Sequence, residues 1–221
     1  MGNLSTVAVI FDLDGTLIDS VPDIHATVNR VLGAMGLAET DRATVQGFVG
    51  NGLPALIDRL LAHHAQMLSP KARTALIAAF EADYSARHDL TTPYPGVRQA
   101  LERLIAQGAV LGICTNKPIG PARAILDHLV LSPQFAAVLG GDSLPLRKPD
   151  PEHLRATARL LQRPKVIFVG DSEVDAATAQ AAALPFLLYT EGYRKTPVDR
   201  MTHTAAFDDW AALPDLVAAH H

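Results

Sequence analysis

The chain of 221 residues lacks the features that mark several large classes of protein. It has one cysteine, so no intramolecular disulfide can form, and we expect a reducing, cytoplasmic location. No apolar run approaches the roughly 20 residues that a bilayer-spanning helix needs. Lysine and arginine total 19 against 23 acidic residues, which leaves no cationic excess for binding a phosphodiester backbone. We therefore expect neither a nucleic acid nor a membrane as partner.

The chain does contain enough apolar residues to bury a sizeable core. Hydrophobic types make up 48% of it, and its length favours one large domain or a core with a smaller insert. The first apolar stretch, Val7–Phe11, follows no lysine or arginine and runs directly into acidic residues, unlike a secretory signal. We interpret this stretch as a buried strand.

After this strand the pattern is helical for about seventy residues. Ser20 is placed to begin one amphipathic helix and Gly36 to end it. Apolar residues at helical spacing predict further helices within Leu53–Leu61 and Ser69–Tyr84. Thr92–Gly96 holds two prolines and a glycine and cannot continue a helix, so it is interpreted as a hinge or linker.

The rest of the chain alternates helices with short apolar strands. Such strands, apolar along their whole length, are typical of a parallel sheet with helices on both faces. We predict an α/β fold in which a Rossmann-like parallel-sheet core, residues 1–19 and 93–221, carries an inserted all-helical cap, residues 20–92. The later strands are predicted at Val110–Cys114, Ala137–Leu139, Val166–Val169 and Phe186–Tyr189.

In open parallel sheets, ligands bind outside the carboxyl ends of the strands, so the residues directly after each strand are the first candidates for chemistry. In this chain those residues are acidic, hydroxyl-bearing or basic. They are Asp12-Leu13-Asp14-Gly15-Thr16, Thr115-Asn116-Lys117, Lys148-Pro149 and Gly170-Asp171-Ser172-Glu173-Val174-Asp175. We expect these segments to meet at one edge of the sheet.

The acidic residues among them predict a cation site. Asp12 and Asp14 lie two apart in an extended segment, so both side chains can face this edge. Asp171 can complete the site, and Asp175 lies one helical turn further on. Carboxylates so close repel one another, and Mg²⁺ is typically held by one or two carboxylates, waters and a substrate phosphate. An acidic pocket of this kind favours a magnesium ion.

The polar residues of the other segments are suited to a phosphoryl group. The hydroxyl of Thr115, the amide of Asn116 and the ammonium of Lys148 can bind its oxygens from the side opposite the acids. No Gly-x-Ser-x-Gly nucleophile segment is present, and Cys114 falls inside an apolar strand, where it should be inert. A carboxylate can attack phosphorus to give an aspartyl-phosphate, and Asp12 is best placed to do so.

These segments resemble the four ordered motifs of the haloacid dehalogenase superfamily of aspartyl phosphatases. The resemblance implies Asp12 as nucleophile and the Asp14 side chain as general acid and base. It also implies that Thr115 and Lys148 hold the phosphoryl group. The residues that carry it are Asp12-Leu13-Asp14-Gly15-Thr16-Leu17, Thr115-Asn116-Lys117-Pro118, Lys148-Pro149 and Gly170-Asp171-Ser172-Glu173-Val174-Asp175.

The resemblance also implies the ligands of the Mg²⁺ ion. They would be Asp12, the backbone carbonyl of Asp14, and Asp171, with Asp175 supporting the metal from close by. The implied partner is a small phosphorylated metabolite, and the chain is expected to be a monomer or a homodimer.

Within the superfamily the chain most resembles the bacterial phosphoglycolate phosphatases. The implied activity is Mg²⁺-dependent hydrolysis of a small phosphomonoester, 2-phosphoglycolate, through an aspartyl-phosphate. The alternatives are a phosphosugar mutase of the β-phosphoglucomutase type or another small-molecule phosphatase, such as a pyrophosphatase. This likeness is carried by Val49-Gly50-Asn51-Gly52, Tyr94-Pro95-Gly96, Cys114-Thr115-Asn116-Lys117-Pro118, Gly140-Gly141-Asp142-Ser143 and Glu191-Gly192-Tyr193-Arg194.

The helical segment leaves two questions open. Gly50, Asn51 and Gly52 are either a loop over the site that selects the leaving group, or a helix–helix turn in which Asn51 is the N-cap. A small anionic substrate would also need a cation for its carboxylate. The sequence does not choose among the candidates Arg42, Arg59, Arg87 and Arg194.

Overall fold

The computed structural model describes residues 3–221, so residues 1 and 2 of the predicted core range lie outside it. None of the helices within that range is both long and apolar enough to span a bilayer. The strands of the described residues are β1 Val7–Phe11, β2 Ile18–Asp19, β3 Thr92–Pro93, β4 Val110–Cys114, β5 Ala137–Leu139, β6 Lys165–Gly170, β7 Phe186–Tyr189 and β8 Ala205–Phe207. The α-helices of the same range are α1 Val21–Ala34, α2 Arg42–Phe48, α3 Leu53–His63, α4 Pro70–Ser85, α5 Val97–Ala106, α6 Ile119–His128, α7 Pro151–Leu161, α8 Glu173–Ala182 and α9 Leu213–His220.

Six of these strands form one parallel sheet in the order β5-β4-β1-β6-β7-β8. The predicted α/β fold is therefore confirmed. β1 is central, and its Ile10 lies opposite Gly112 of β4 and Phe168 of β6. Because β1 has a partner on each side, the residue that follows it, Asp12, lies in the middle of the carboxyl edge of the sheet.

The sheet is covered on both faces, which explains why its strands are apolar throughout. Val9 and Phe11 of β1 belong to an apolar cluster that includes residues of α5, α6 and α9. Ala8 and Ile10, which point the other way, belong to a second cluster that includes residues of α7 and α8. All four side chains are completely buried, so no position on β1 could be polar without an internal partner.

Helices α1 to α4 bury a third apolar cluster of their own. It contains Ile24 and Val28 of α1, Leu56 of α3, and Phe80 and Tyr84 of α4. These residues recur at helical spacing, so each helix presents an apolar face to its neighbours. The helical character of this segment agrees with the sequence pattern, and the exact domain boundaries stay a prediction.

The chain enters and leaves the helical segment through a short ribbon. Ile18 pairs with Pro93 and Asp19 with Thr92, antiparallel to one another. The predicted linker Thr92–Gly96 therefore begins as a two-residue strand. Gly96, at φ +83°, then begins α5. The two crossings between sheet and helices are thus hydrogen-bonded side by side.

α2, β8 and α9 are among the elements that went unrecognised in the sequence, because each buries few apolar residues. Only Val45 of α2 is buried, so its seven residues show no helical periodicity. β8 is a three-residue edge strand in which only Phe207 is buried. α9 buries Leu213, Pro214 and Val217 within eight residues. Short elements of this kind owe their structure to the core they pack against.

His153 of α7 gives the folded state a specific sensitivity to acid. Its side chain is completely buried, Nε2 lies 3.1 Å from the carbonyl oxygen of Gly140, and Nδ1 has no partner among the described residues. Burial, assisted by the charge of Lys148, lowers the pKa of His153 to about 4. The unfolded chain, with an ordinary histidine pKa, therefore binds a proton at higher pH than the folded protein does.

We expect the stabilisation associated with neutral His153 to be present above about pH 6.5 and to be lost as the pH falls towards 4. His153→Gln keeps a donor for Gly140 but does not titrate. Urea unfolding between pH 7 and pH 4 should show the wild-type protein losing on the order of 3 kcal/mol more than this variant. The matched control is the exposed His63→Gln, which should follow the wild type. An equal loss of unfolding free energy in His153→Gln would show that His153 is not the source of this sensitivity to acid.

Candidate active site

The segments that follow β4, β1 and β6 meet at the carboxyl edge of the sheet, because these three strands are neighbours. Asp12 follows β1, Thr115 follows β4, and Asp171 follows β6. Lys148, from the segment after β5, reaches the same place. All four residues are buried, so the site at the sheet edge is largely closed off from solvent.

Three carboxylates come together here. Asp12, Asp171 and Asp175 each offer one oxygen, and these oxygens all lie within 4.8 Å of one another. Burial raises the pKa of Asp171 well above its usual range, and the charges of Asp175 and Asp12 add to the effect. Burial also raises the pKa of Asp12 to about 6, although Lys148 opposes the shift. Such a cluster is stabilised by any cation that reaches it.

Lys148 lies between two of these acids. Its Nζ is 2.7 Å from Oδ1 of Asp175 and 2.9 Å from Oδ1 of Asp12. The contact with Asp12 is an ion pair that does not have hydrogen-bond geometry. Oδ1 of Asp12 is therefore buried and accepts no hydrogen bond from residues 3–221. Burial alone would lower the pKa of Lys148, but the charges of Asp12 and Asp175 raise it overall. We expected this lysine on the side opposite the acids, whereas its ammonium contacts them directly.

Asp175 is fixed by the start of α8. Its Oδ2 accepts hydrogen bonds from Oγ of Ser172 at 2.6 Å, from the backbone N–H of Ser172 at 3.1 Å and from that of Asp171 at 3.3 Å. Ser172 is the N-cap of α8, so this is a capping box with aspartate at the third helical position. A Cβ on Gly170 would lie 2.6 Å from this side chain. Only glycine fits there without displacing Asp175.

Asp171 is held by the first motif. Its Oδ1 accepts from Oγ1 of Thr16 at 2.7 Å, and its Oδ2 accepts from the backbone N–H of Tyr193 at 2.6 Å. Gly15 adopts φ +85°, and a Cβ on it would lie 2.5 Å from Oδ2 of Asp171. Gly15 and Thr16 therefore help to position Asp171, a carboxylate that lies far from them in the sequence.

Tyr193 links this carboxylate to the ribbon. Its hydroxyl donates to Oδ1 of Asp19 at 2.8 Å and accepts from the backbone N–H of Ser20 at 2.8 Å. Sequence reasoning noted Tyr193 only as part of a family-like segment and gave it no role. The sequence does not reveal its hydrogen bond to Asp171, because this contact depends on the order of the strands: Tyr193 follows β7, which lies two strands away from β1.

The side chain of Asp14 is held by partners outside the acidic cluster. Its Oδ1 accepts from Oγ of Ser20 at 2.5 Å, and Nζ of Lys117 lies 3.1 and 3.2 Å from its two oxygens. The same Nζ lies 2.8 Å from the hydroxyl of Tyr84 on α4. Burial alone would lower the pKa of Lys117, but Asp14 and Tyr84 raise it overall. The predicted contribution of Asp14 to a metal, through its backbone carbonyl, stays a prediction.

Lys117 and Tyr84 are two further site residues to which the sequence analysis assigned no role. Lys117 stood in a strand-end segment beside Thr115 and Asn116, and that position was a usable signal. Tyr84 gave no such signal, because its spacing with other apolar residues of α4 is that of an ordinary core residue. Only the packing of α4 against the sheet edge brings its hydroxyl to Lys117.

Thr115 and Asn116 have different surroundings. Oγ1 of Thr115 accepts from the backbone N–H of Lys117 at 3.2 Å, and its own hydroxyl proton remains available. The side-chain nitrogen of Asn116 donates to the carbonyl oxygens of Gly50 at 3.2 Å and of Lys148 at 3.0 Å. Both amide hydrogens of Asn116 are thus used in joining three segments around the site.

The loop Gly50-Asn51-Gly52 lies against this asparagine. Oδ1 of Asn51 accepts from Nη2 of Arg59 at 2.6 Å, and the N-cap of α3 is Gly52, without a side-chain hydrogen bond. The alternative in which Asn51 is the N-cap is therefore wrong. Gly50 and Asn51 line a cavity that also contains Asp12 and Asp14. This position favours the interpretation of the segment as a loop over the site.

A larger cavity separates the sheet edge from the helices. Its floor is polar and comes from the strand ends, whereas its roof is largely apolar and comes from α1, α3 and α4. The floor includes Asp12, Asp14, Thr115, Asn116 and Lys117, and the roof includes Ile24, Leu53, Leu56, Phe80 and Tyr84. Such a cavity is suited to a small molecule with one polar end held at the strand ends.

The single thiol takes no part in this site. Cys114 is completely buried within β4, and burial raises its pKa to about 12. The thiolate needed for nucleophilic attack is therefore scarce at neutral pH. This agrees with the expectation that Cys114 is an inert apolar residue.

Known proteins resemble this chain both in sequence and in fold. A phosphoglycolate phosphatase from Cereibacter sphaeroides (strain ATCC 17029 / ATH 2.4.9) is 50% identical over 210 residues, which cover 95% of this chain and 96% of that protein. One from Rhodobacter capsulatus is 48% identical with the same coverage. A crystal structure described as a predicted phosphoglycolate phosphatase from Haemophilus somnus 129PT superposes with a TM-score of 0.90 at 29% identity, covering 95% of this chain and 97% of that one.

The family model described as haloacid dehalogenase-like hydrolase matches residues 6–183, a range that contains all four strand-end segments. This match covers most of the chain, and the parallel sheet with its helical insert agrees with it. The chain belongs to the haloacid dehalogenase-like hydrolases.

Proposed function

We propose that the chain is a Mg²⁺-dependent phosphatase that hydrolyses 2-phosphoglycolate through an aspartyl-phosphate on Asp12. The observation that carries this proposal is the position of Asp12. Its carboxylate belongs to the buried acidic cluster, contacts the ammonium of Lys148, and lines the same cavity as Asp14. A nucleophile, a cationic partner and a second carboxylate for proton transfer are thus within one small space.

The donor set at the cluster fits a hard divalent cation. Buried carboxylate oxygens are the ligands that Mg²⁺ prefers, and Oδ1 of Asp12 has an unused acceptor position. Asp12, Asp171 and the backbone carbonyl of Asp14 would hold the ion, and Asp175 would support it. When bound, Mg²⁺ neutralises charge on the phosphoryl oxygens and on the carboxylates around it.

In the first step, the ionised carboxylate of Asp12 attacks phosphorus and the bond to the leaving oxygen breaks. Lys148 and the hydroxyl of Thr115 hold the phosphoryl oxygens, because both are buried, Lys148 contacts Asp12, and Thr115 lines the same cavity as Asp12. We assign any contact from Asn116 to its backbone N–H, because its side-chain hydrogens are already used. Asp14 gives its proton to the leaving alkoxide.

In the second step, Asp14 removes a proton from a water molecule, which attacks the phosphorus of the aspartyl-phosphate. Inorganic phosphate leaves, and the Asp12 carboxylate is restored. Asp14 is suited to both proton transfers because Ser20 and Lys117 hold its side chain, which lines the same cavity as Asp12.

We propose that residues 20–92 form a cap domain whose movement controls access to this cavity. Support comes from their separate apolar cluster, from the paired ribbon at both crossings, and from the loop carbonyl of Gly50 that accepts from Asn116. Closure would exclude bulk water from the first step, and reopening would admit substrate and release product. A monomeric or homodimeric state and a cytoplasmic location stay predictions.

Replacing the nucleophile should abolish turnover while preserving the fold. We expect Asp12→Asn to lower kcat for 2-phosphoglycolate by at least about 1000-fold, measured as phosphate release. Its melting temperature should stay at or above that of the wild type, because the substitution removes one buried negative charge from a crowded cluster. The exposed Asp208→Asn is the matched control and should keep full activity. Persistent hydrolysis by Asp12→Asn would exclude Asp12 as the nucleophile.

Magnesium should stabilise the folded protein as well as support activity. At a Mg²⁺ concentration about 100 times the Kd, we expect the melting temperature to rise by roughly 5 °C or more over that in EDTA. Asp171→Asn should lose most of this rise, whereas Asp208→Asn should keep it. Activity that survives thorough chelation, or an equal rise in Asp171→Asn, would contradict the assigned metal site.

A substrate panel separates the proposed activity from its alternatives. We expect kcat/KM for 2-phosphoglycolate to exceed that for pyrophosphate and for β-glucose 1-phosphate by at least about 100-fold. A phosphosugar mutase would convert β-glucose 1-phosphate to its isomer with little phosphate release, so phosphate and sugar products should be measured together. Preference for pyrophosphate, or isomerisation of the sugar phosphate, would replace the proposed substrate with that alternative.

A further inference from the structure

The larger cavity contains one cationic side chain. Among the described residues that line it, Lys117 is the sole lysine or arginine. The carboxylates on its wall are Asp12, Asp14 and Glu81, and the remainder of the roof is largely apolar. A negatively charged group that enters this cavity therefore finds one favourable position, beside the ammonium of Lys117, because an apolar wall would leave its charge unsatisfied.

The ammonium of Lys117 lies where the leaving group must be. It contacts both oxygens of Asp14, the residue assigned to protonate the leaving oxygen, and so stands on the leaving-group side of Asp12. It also reaches the hydroxyl of Tyr84 and lies 4.4 Å from the centre of that ring. Lysine has three N–H donors. A carboxylate is a stronger acceptor than the neutral hydroxyl of Tyr84 and would compete successfully for one of them.

The arginines considered from the sequence are directed elsewhere. None of them lines the larger cavity in the described part of the chain. Arg42 pairs with Asp19 at 2.8 Å, Arg59 donates to Phe48 and Asn51, Arg87 pairs with Asp83, and Arg194 lines a separate surface pocket between Thr190 and Pro197. The cation for a substrate carboxylate therefore comes from the sheet edge and not from the helices.

We propose that Lys117 is the specificity-determining residue that binds the carboxylate of the leaving group. This assignment rests on the proposed phosphatase function and deepens it. The buried ammonium selects phosphomonoesters whose leaving group carries a negative charge close to the scissile oxygen. Lys117 belongs to the core, and Tyr84 of the helical segment contacts its ammonium through the hydroxyl.

The test compares two substrates of nearly equal size. 2-Phosphoglycolate and 2-hydroxyethyl phosphate have the same chain length and differ in the terminal carboxylate, which is a hydroxymethyl group in the second compound. Lys117→Met removes the charge, Lys117→Gln removes it while keeping a polar contact for Asp14, and Lys117→Arg keeps it. The exposed Lys71→Met on α4 is the matched control. Circular dichroism and the melting temperature establish that each variant is folded.

We expect Lys117→Met and Lys117→Gln to lower kcat/KM for 2-phosphoglycolate roughly 10- to 100-fold more than for 2-hydroxyethyl phosphate. Most of this difference should appear in KM, because the lost contact binds the substrate. Lys117→Arg should keep most of the wild-type ratio between the two substrates, and Lys71→Met should keep all of it. An equal loss for both substrates would make Lys117 a positioning residue for Asp14 and overturn the proposal.

The wild-type protein provides a test that does not depend on any variant. It should prefer 2-phosphoglycolate over 2-hydroxyethyl phosphate by at least about 10-fold in kcat/KM. Equal hydrolysis of the two would overturn the role of Lys117 and leave the phosphatase function intact. Hydrolysis of neither would overturn the phosphatase function itself, and the assignment of Lys117 with it.

Discussion

The ion pairing of Lys148 with Asp12 and Asp175 is the constraint around which the site is organised. Three carboxylates within 4.8 Å of one another, all buried, repel strongly in a medium of low dielectric. One ammonium 2.7 and 2.9 Å from two of them offsets part of that repulsion. The remaining negative charge makes these carboxylates a group that could hold a metal ion.

The groups that hold this cluster come from distant parts of the chain. Thr16 and Asp171 are 155 positions apart in sequence, yet they are hydrogen-bonded at 2.7 Å because β1 and β6 are neighbours in the sheet. Tyr193 adds a second tie to Asp171 and connects it to the ribbon. Segments that lie far apart in the sequence thus hold one another's side chains at the sheet edge. Such mutual support keeps repelling carboxylates in place.

The helical segment contacts the consecutive residues Asn116 and Lys117 at the sheet edge. Asn116 donates to the carbonyl of Gly50, and Lys117 contacts the hydroxyl of Tyr84. The two residues at the sheet edge are consecutive, so the segment after β4 carries both contacts. A change in the position of the helices would alter the surroundings of Lys117 and Asp14 together. The proposed binding of the leaving group and the proposed proton transfer to it would therefore be connected through one short loop.

The sequence by itself determined the parallel-sheet fold class and the group of residues expected at the edge of the sheet. Uninterrupted apolar strands such as Val7–Phe11 require cover on both faces, and a parallel sheet brings its strand ends together, so Asp12, Thr115 and Asp171 could be grouped from their order alone. Tertiary structure decided the contacts that local patterns do not encode. The position of Lys148 among the acids and that of Tyr84 beside Lys117 depend on how distant elements pack. The position of a long side chain is set by its neighbours in space rather than by its neighbours in sequence.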